Sequence, residues 1–277
     1  MKKVSKKIIA VTGSSGALGK EFIKQYKKKY NFILYKKKIE NSTDFSNWLK
    51  KHSDIEIFLH FAAISTINSS QQDAKRTYLV NSHATINMLK ILNKSNLDKL
   101  EYFLFPSSSH VYKPSFKALS ESSKRIPSNT YGKSKKKVED FIIKNRKKLK
   151  FKLGIARIFN FYSSNHKKGF FIYDIKKKLI KKNKSIYFNK INTIRDYINI
   201  NQLCEILNFI INKHIVTPVN IGSSKPLNLI NLVKKIINKK INEKLITFDK
   251  TPYPGLLSNI NLLRKLGYKK RISNFKI

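Results

Sequence analysis

The sequence predicts an α/β protein with a doubly wound parallel sheet and a small C-terminal lobe. Short apolar runs alternate with helix-length amphipathic segments through the first half of the chain, which is typical of strands joined by helical crossovers. A glycine-rich loop follows the first apolar run directly, as expected where a strand turns into a helix. The chain has 277 residues, 41% of them hydrophobic, so it can bury a core on both faces of such a sheet.

The predicted strands of the main sheet are short and apolar, at residues 8–11, 32–35, 55–61, 102–105 and 153–158. Because helix-length segments separate them, we expect parallel pairing with helices on both faces. Later in the chain the patterns predict helices over 171–181, 202–213, 229–238 and 259–266 and a strand over 219–221. We therefore expect a Rossmann domain over 1–165, rejoined by 194–222, and a small lobe over 166–193 and 223–277.

The charge is strongly basic, with 58 Lys and Arg against 16 Asp and Glu and a formal net charge of +42. The lysines are spread along the whole length together with many asparagines and isoleucines, which indicates a compositional bias rather than one basic face. We therefore predict no specific nucleic-acid site, although such a coat of lysine attracts anions, including phosphorylated small molecules.

The compartment and the metal content are constrained by a few residues. No apolar stretch approaches the roughly 20 residues that a membrane span needs, so we expect a soluble protein. Cys204 is the only cysteine, which excludes an intramolecular disulfide and suits a reducing cytoplasm. His60, His110 and Cys204 lack metal-ligand spacing, so no metal site is predicted.

The loop from Thr12 to Gly19 has the spacing of a dinucleotide-binding turn. Its first glycine suits a tight turn, its second lets the main chain approach a pyrophosphate, and its third lets the next helix lie close to the sheet. That helix would point its first amide groups at the phosphates. The expected cofactor contacts are Gly13, Ser15, Gly16, Ala17, Leu18 and Gly19. The alternative is a structural turn, since such loops also occur in proteins that bind no nucleotide.

The end of the second strand bears on the choice between NADP and NAD. An acidic residue there usually holds the free ribose 2′-hydroxyl of NAD, whereas this chain continues with Lys36, Lys37 and Lys38. A cation at Lys36 can pair with a 2′-phosphate, so the sequence favours NADP, with NAD as the alternative. Asp44, followed by Phe45, can accept a hydrogen bond from the adenine amino group; its structural alternative is to cap the next helix.

Tyr131 and Lys135 stand one helical turn apart, so both side chains would lie on one helix face. A tyrosine has an ordinary pKa near 10, and a neighbouring ammonium stabilises its phenolate, so this pair suits acid-base chemistry. Lys135 can also hold the hydroxyls of a nicotinamide ribose. A serine cluster, Ser107 to Ser109, follows the strand at 102–105, where a hydroxyl can bind the substrate oxygen that gains or loses a proton. The alternative is a core tyrosine beside a solvent-exposed lysine.

These motifs together resemble an extended short-chain dehydrogenase/reductase, in the NAD(P)-dependent epimerase/dehydratase family that acts on nucleotide sugars. The matching segments run through most of the chain: Thr12 to Gly19, Leu59-His60-Phe61-Ala62-Ala63, Val80-Asn81, Ser107 to Tyr112, Tyr131-Gly132-Lys133-Ser134-Lys135, Arg157 to Asn160, Arg195 to Ile198 and Val219 to Gly222.

The resemblance implies a role for each matched residue. Tyr131 would be the acid-base residue, Lys135 its electrostatic partner and Ser108 the catalytic serine that anchors the substrate. Cofactor contacts would come from Phe61, Ala62, Ala63, Asn81, Tyr131 and Lys135 in addition to the glycine loop. Substrate contacts would come from Ser108, Ser109, His110, Asn160 and Arg195, of which Asn160 and Arg195 would hold the nucleotide diphosphate. For Arg195, the alternative is a surface ion pair with Asp196. For His110, a structural role is favoured.

Two departures from the family pattern restrict the reaction. Dehydratases of the family carry an Asp-Glu pair directly after the catalytic serine, whereas this chain has Ser109-His110, so dehydration is not expected. The family's late Arg-x-Gly-Asp segment appears here as Tyr253-Pro254-Gly255-Leu256, which leaves the substrate nucleotide open.

The sequence thus predicts a cytoplasmic NAD(P)-dependent enzyme that reduces a 4-keto nucleotide sugar, with Tyr131 as proton donor. Epimerisation at the same carbon is the alternative. From another class, the fold can serve as a non-catalytic nucleic-acid-binding protein, although the intact Tyr131, Lys135 and Ser108 argue against that. The resemblance also implies a homodimer through the helix that carries Tyr131 and its neighbour, and a place in polysaccharide biosynthesis.

Overall fold

The computed structural model describes residues 5–163, 171–180, 185–237, 246–273 and 275. The strands are β1 (Ile8–Thr12), β2 (Asn31–Tyr35), β3 (Ile57–His60), β4 (Tyr102–Ser108), β5 (Lys152–Ile158), β6 (Asn160–Tyr162), β7 (Ile186–Phe188), β8 (Thr193–Asn199), β9 (Val219–Ile221), β10 (Pro226–Asn228), β11 (Ile246–Phe248) and β12 (Tyr253–Leu256). The α-helices are α1 (Ala17–Tyr26), α2 (Ser42–Lys50), α3 (Ile67–Gln72), α4 (Ala74–Tyr78), α5 (Thr85–Lys94), α6 (Thr130–Asn145), α7 (Phe171–Ile180), α8 (Ile200–Asn212), α9 (Leu229–Ile237) and α10 (Asn261–Lys265).

The main sheet has six strands in the order β2-β1-β3-β4-β5-β9, and all of its neighbouring pairs are parallel. This confirms the predicted doubly wound α/β fold. The late strand at Val219–Ile221 joins the sheet beside β5, as an edge strand. The ends predicted for the helices over 171–181 and 229–238, at Lys181 and Asn238, lie outside the described residues.

Alternate residues of the central strands build two separate cores. Ile9, Val11 and Leu104 face the layer formed by α1, α8 and α10. Ala10 and Phe103 face the layer formed by α2, α5 and α6. Because a strand points successive side chains to opposite faces, continuous apolar runs such as those of β1 and β4 indicate a sheet buried on both faces.

The later part of the chain adds a second layer of short strands. A four-stranded sheet pairs β10, β8 and β12, with β6 also against β8, and a two-stranded sheet pairs β11 with β7. A separate apolar cluster lies between these strands and α9, and it includes Ile186 of β7 and Leu232 and Val233 of α9. The boundaries between the two lobes stay a prediction. No helix among the described residues is long and apolar enough to cross a membrane.

Candidate active site

The carboxyl ends of β1, β3 and β4 meet around a cavity of about 420 Å³, which we call the central cavity. Several elements contribute to its wall: the glycine loop, the residues after β3, the serine cluster, the start of α6, β6 and α7. The predicted site residues on this wall are Gly13, Gly16, Ala17, Leu18, Gly19, Phe61, Ala63, Ser108, Ser109, His110, Tyr131, Lys135 and Asn160. The fold therefore brings most of the predicted cofactor, catalytic and substrate residues to one place.

The glycine loop has the geometry of a phosphate-binding turn. Gly13 has a φ of +68°, and a Cβ there would overlap the backbone of Phe61 and Ala62. A Cβ at Gly19 would overlap the backbone of Gly13 and Ser14, so the loop and α1 can approach each other only with glycine at this position. A Cβ on Gly16 would meet only the Gly13 carbonyl, at 3.3 Å, so this glycine leaves the approach to the main chain open. The loop thus fits a dinucleotide pyrophosphate.

His60 ties the ends of two strands to a helix. Its ring nitrogens lie 2.8 Å from Thr12 Oγ1 and 2.9 Å from Thr85 Oγ1, and all three residues are buried. Burial, assisted by the charge of Lys135, lowers the pKa of His60 to about 3, so the ring is neutral at physiological pH. His60 therefore holds the cavity wall together.

The catalytic candidates meet at the start of α6. Asn129 caps this helix by accepting a 2.8 Å hydrogen bond from the Gly132 amide. The Lys135 Nζ atom lies 5.9 Å from the centroid of the Tyr131 ring and donates a 2.9 Å hydrogen bond to the Pro106 carbonyl oxygen. Lys135 is 3% exposed. The ammonium is thus fixed between the tyrosine and the end of β4.

Burial governs the protonation of Tyr131. Burial raises its pKa to about 12, and a hydrogen bond with Ser108 acts in the opposite direction. In the protein alone desolvation dominates the pKa of Tyr131, and the stabilisation of its phenolate by Lys135 stays a prediction. Burial also lowers the pKa of Lys135 to about 7, an effect that Glu139 opposes. Tyr131 keeps its proton at neutral pH and is suited to act as an acid.

His110 and Gly132 shape the contact between the serine cluster and α6. His110 Nδ1 lies 3.1 Å from Asn129 Nδ2, and its ring packs edge-on against Tyr131 with centroids 6.1 Å apart. Burial and the charge of Arg195 lower the pKa of His110 to about 4, so the ring is neutral at pH 7. A Cβ on Gly132 would overlap the His110 carbonyl, so only glycine lets α6 begin this close to the cavity.

Arg195 is not in an ion pair with Asp196, and the alternative considered for it is wrong. The Asp196 carboxylate is fully buried and accepts hydrogen bonds from the backbone or hydroxyl groups of Ser223, Ser224 and Ser258. Burial lowers the pKa of the Arg195 guanidinium, and its charge reaches His110. Asn160 donates a 3.1 Å hydrogen bond to the Asp196 backbone carbonyl. Arg195 is thus a partly desolvated cation whose charge acts on His110, although Arg195 itself lines neither the central cavity nor the second cavity beside it.

A second cavity, of about 760 Å³, adjoins the first at Gly13 and Ala63 and extends past the end of β2. We call it the β2-side cavity. Ser15, Lys36 and Ala62 of the predicted cofactor set lie on its wall. Its further cationic lining residues are Lys20, Lys24, Lys27, Lys37, Lys38 and Arg76.

Three predicted cofactor residues lie away from both cavity walls. Asn81 is buried, and its Oδ1 accepts a 2.8 Å hydrogen bond from the Ile64 amide while its Nδ2 donates a 2.9 Å hydrogen bond to the Ile64 carbonyl, so it braces the loop after β3. Phe45 is 1% exposed and its side chain belongs to the core. Asp44 does not cap α2, because the helix begins at Ser42 and Asn41 is its N-cap. The Asp44 carboxylate instead pairs with Lys37 Nζ at 2.8 Å.

The sequence patterns missed a buried ion pair behind the site. Arg157 and Glu139 are 2% and 0% exposed, and the Arg157 guanidinium contacts both carboxylate oxygens at distances of 2.7 to 3.1 Å. Arg157 also donates to Tyr112 Oη at 2.8 Å. Glu139 lies one turn beyond Lys135 on α6, so the pair fixes the catalytic helix against β5. Spacing along the sequence gave no signal for it.

Phe171, Asp174 and Tyr197 also line the central cavity without having been predicted.

Comparisons with known proteins agree with this geometry. A family model described as GDP-mannose 4,6 dehydratase matches residues 7–251. A GDP-6-deoxy-D-talose 4-dehydrogenase from Aggregatibacter actinomycetemcomitans is 28% identical over 210 residues, which are 74% of this chain and 70% of that protein. UDP-arabinose 4-epimerase 1 from Arabidopsis thaliana is 29% identical over 108 residues, which are 39% of this chain and 25% of that protein.

Solved structures share the fold over nearly the whole chain. UDP-glucose 4-epimerase from Thermotoga maritima, solved with UDP-glucose, has a TM-score of 0.81 at 17% identity, covering 96% of this chain and 94% of that one. dTDP-4-dehydrorhamnose reductase from Bacillus anthracis, in complex with NADP, has a TM-score of 0.79 at 20% identity, covering 97% and 94%.

The fold and the matched motifs define an NAD(P)-dependent enzyme of the extended short-chain dehydrogenase/reductase type. The chain belongs to the GDP-mannose 4,6-dehydratase family, among the epimerases, dehydratases and reductases that act on nucleotide sugars. These relatives are enzymes, which speaks against the alternative of a non-catalytic nucleic-acid-binding protein.

Proposed function

We propose that this enzyme reduces the 4-keto group of a nucleotide sugar with NADPH, and that Tyr131 donates the proton. The observation that carries the proposal is the meeting of Ser108, Tyr131 and Lys135 on the wall of a cavity that the glycine loop also lines. A nicotinamide cofactor on that loop would end beside these three side chains.

The state of Tyr131 is compatible with its proposed role as proton donor. With a pKa raised to about 12, the phenol holds its proton at neutral pH and can deliver it to a carbonyl oxygen. The Ser108 hydroxyl would donate a hydrogen bond to the same oxygen, and the Lys135 ammonium would stabilise the phenolate left behind. NADPH held by the glycine loop would supply a hydride to the carbonyl carbon, and with the proton from Tyr131 the C=O group would become CH–OH. Solvent then returns a proton to Tyr131.

Dehydration lacks the side chains that it needs next to Ser108. Ser109 is a buried hydroxyl, and His110, with a pKa of about 4, carries no proton to donate as an imidazolium at pH 7. An elimination of water requires a strong base and an acid close to the substrate. The Ser109-His110 pair therefore favours hydride and proton transfer at C4 alone.

The charges of the β2-side cavity support NADP as the cofactor. Lys36 lies on its wall directly after β2, where an acidic residue would favour NAD. Among the residues that the structure describes, neither Lys36 nor Lys38 forms an ion pair with a carboxylate, so both ammonium groups are available to a 2′-phosphate.

The nucleotide end of the substrate would lie against Arg195 and Asn160. A guanidinium fork suits the oxygens of a diphosphate, and partial burial strengthens the attraction. The family model and the relative from Aggregatibacter actinomycetemcomitans are both named for GDP-linked sugars. A GDP-linked 4-keto-6-deoxy sugar is therefore the first substrate to test, with its dTDP-linked counterpart for comparison.

Epimerisation at C4 is the second candidate, because relatives named as 4-epimerases match part of the sequence. The two reactions differ in cofactor balance. Incubation of purified protein with NADPH and the 4-keto sugar should give a net loss of absorbance at 340 nm, equal to the alcohol formed. Interconversion of 4-hydroxy sugars without net NADPH loss would instead establish the epimerase.

A homodimer through α5 and α6 belongs to the proposal as well. This part of the proposal rests on the family resemblance. Light scattering on the purified protein tests this, and a monomeric mass would contradict it.

A further inference from the structure

One ion pair on the wall of the β2-side cavity joins two separate elements. Glu40, in the loop after β2, lies 3.5 Å from Arg76 on α4, measured from Oε1 to a terminal guanidinium nitrogen. Both residues line the cavity. The Glu40 side chain is 18% exposed and that of Arg76 is 54% exposed, so the carboxylate is the more enclosed of the two.

Glu40 differs in sign from every other charged residue on that wall. Among the described residues it is the one carboxylate lining the cavity, whereas Lys20, Lys24, Lys27, Lys36, Lys37, Lys38 and Arg76 are all cations. It lies four residues after Lys36. A carboxylate near the end of the second strand is the group that accepts hydrogen bonds from the free ribose hydroxyls of NAD. Glu40 thus has the chemistry of an NAD-selecting side chain inside a cavity whose other charges suit a phosphate.

We infer that Arg76 masks Glu40 and thereby sets the preference of this site for a dinucleotide with a phosphorylated ribose. The inference rests on the proposed NADP-dependent function. While the ion pair holds, the Glu40 carboxylate is neutralised and the wall presents the net positive charge of its lysines. Without Arg76, the carboxylate would repel a 2′-phosphate and would be free to accept hydrogen bonds from a ribose diol.

The neighbouring acidic residue illustrates the same arrangement outside the cavity wall. The Asp44 carboxylate accepts a 2.9 Å hydrogen bond from the side-chain amide of Asn41. It also forms an ion pair with Lys37 at 2.8 Å, which neutralises its charge. Glu40 differs because both members of its pair line the cavity, whereas Asp44 does not. Because Arg76 belongs to α4, the Glu40–Arg76 pair can be broken by one substitution without altering the end of β2.

The test is a double-mutant cycle on cofactor binding. Dissociation constants for NADPH and NADH would be measured by fluorescence titration at fixed ionic strength for wild type, Arg76→Gln, Glu40→Gln and the double variant. Lys75→Gln is the matched control, since it removes a cation from α4 that does not line the cavity. Far-UV circular dichroism and thermal unfolding would show that each variant is folded.

We expect Arg76→Gln to lower the preference for NADPH over NADH by about two- to fivefold, the range for a partly exposed charge interaction. Glu40→Gln should keep or raise that preference, and the double variant should recover it to about the level of Glu40→Gln, because Arg76 has nothing left to mask. Lys75→Gln should leave it unchanged.

Three outcomes would overturn the inference. An equal change in NADPH and NADH affinity in Arg76→Gln would mean that Arg76 does not discriminate between them. Failure of Glu40→Gln to rescue Arg76→Gln would make Arg76 a direct phosphate ligand instead of a mask. An effect of Lys75→Gln equal to that of Arg76→Gln would show that both residues act on cofactor binding only through the general surface charge. A wild-type protein that binds neither dinucleotide would contradict the proposed function itself.

Discussion

The Lys135 ammonium lies one helical turn from Tyr131, 5.9 Å from the centroid of its ring, and is held there by a 2.9 Å hydrogen bond to the Pro106 carbonyl. Burial shifts the pKa values of the two side chains in opposite directions, because it disfavours the charged form, which is the phenolate of Tyr131 and the ammonium of Lys135. It raises the pKa of Tyr131 to about 12 and lowers the pKa of Lys135 to about 7. The protonation of both groups in the free protein therefore differs from that of exposed side chains.

The first prediction concerns the pH dependence of cofactor binding. Since the pKa of Lys135 is lowered to about 7, its ammonium is charged below that pH and loses its proton above it. An anionic dinucleotide favours the charged form, so NADPH should bind more weakly as the pH rises from about 6 to about 8.5, and binding above pH 7 should take up a proton. Calorimetry in buffers of different ionisation enthalpy measures that uptake. Lys135→Met should abolish it, whereas uptake that persists in this variant would assign it to another group.

The second prediction concerns the buried ion pair of Glu139 and Arg157. Arg157→Met would leave the buried Glu139 carboxylate with Arg125, at 3.2 Å and partly exposed, as its remaining cationic partner, so the variant should lower the free energy of unfolding by up to about 3–5 kcal/mol. The double variant Glu139→Gln with Arg157→Met should lose less, since no unpaired charge remains. Urea unfolding measures both. A loss below about 1 kcal/mol in Arg157→Met would show that the pair does not hold α6 against β5.

Arg195 is predicted to act on substrate and not on stability. Its guanidinium is partly desolvated, which lowers its pKa, and it forms no ion pair with Asp196. Arg195→Met should raise the KM for the nucleotide sugar about ten- to a hundredfold, because charged hydrogen bonds to the diphosphate are lost. The NADPH dissociation constant and the urea midpoint should stay close to wild type. A drop in stability with an unchanged KM would make Arg195 a structural residue.

Most of the fold could be predicted from the sequence because the strands of a buried parallel sheet are apolar on both faces. The runs in β1 and β5 are of this kind, whereas the edge strand β2 is only partly buried. The end of β4 could not be predicted, since Pro106, Ser107 and Ser108 are typical of turns. In the structure they continue the strand because they pair in register with Ala156, Arg157 and Ile158 of β5. Pairing with a neighbouring strand overrode local preference.

The site was predictable as far as its motifs were continuous in sequence. The glycine loop, the serine cluster and the pair Tyr131 and Lys135 are each local, and the sheet brings them together at its carboxyl edge. Contacts between distant residues left no such pattern, as with Glu139 and Arg157 or Asp196 and Ser258. The raised pKa of Tyr131 could not be predicted for a related reason, because desolvation depends on the whole surrounding structure.

The role of Tyr131 is tested most directly by comparing Tyr131→Phe with wild type in the reduction of a 4-keto-6-deoxy nucleotide sugar, followed as NADPH loss under saturating conditions. Tyr187→Phe, at an exposed position, serves as the control. We predict that kcat falls about 10²- to 10⁴-fold in Tyr131→Phe, the usual contribution of a general acid, while the NADPH dissociation constant changes by less than about twofold. A Tyr131→Phe enzyme that reduces the keto sugar at the wild-type rate would contradict the assignment of Tyr131 as proton donor.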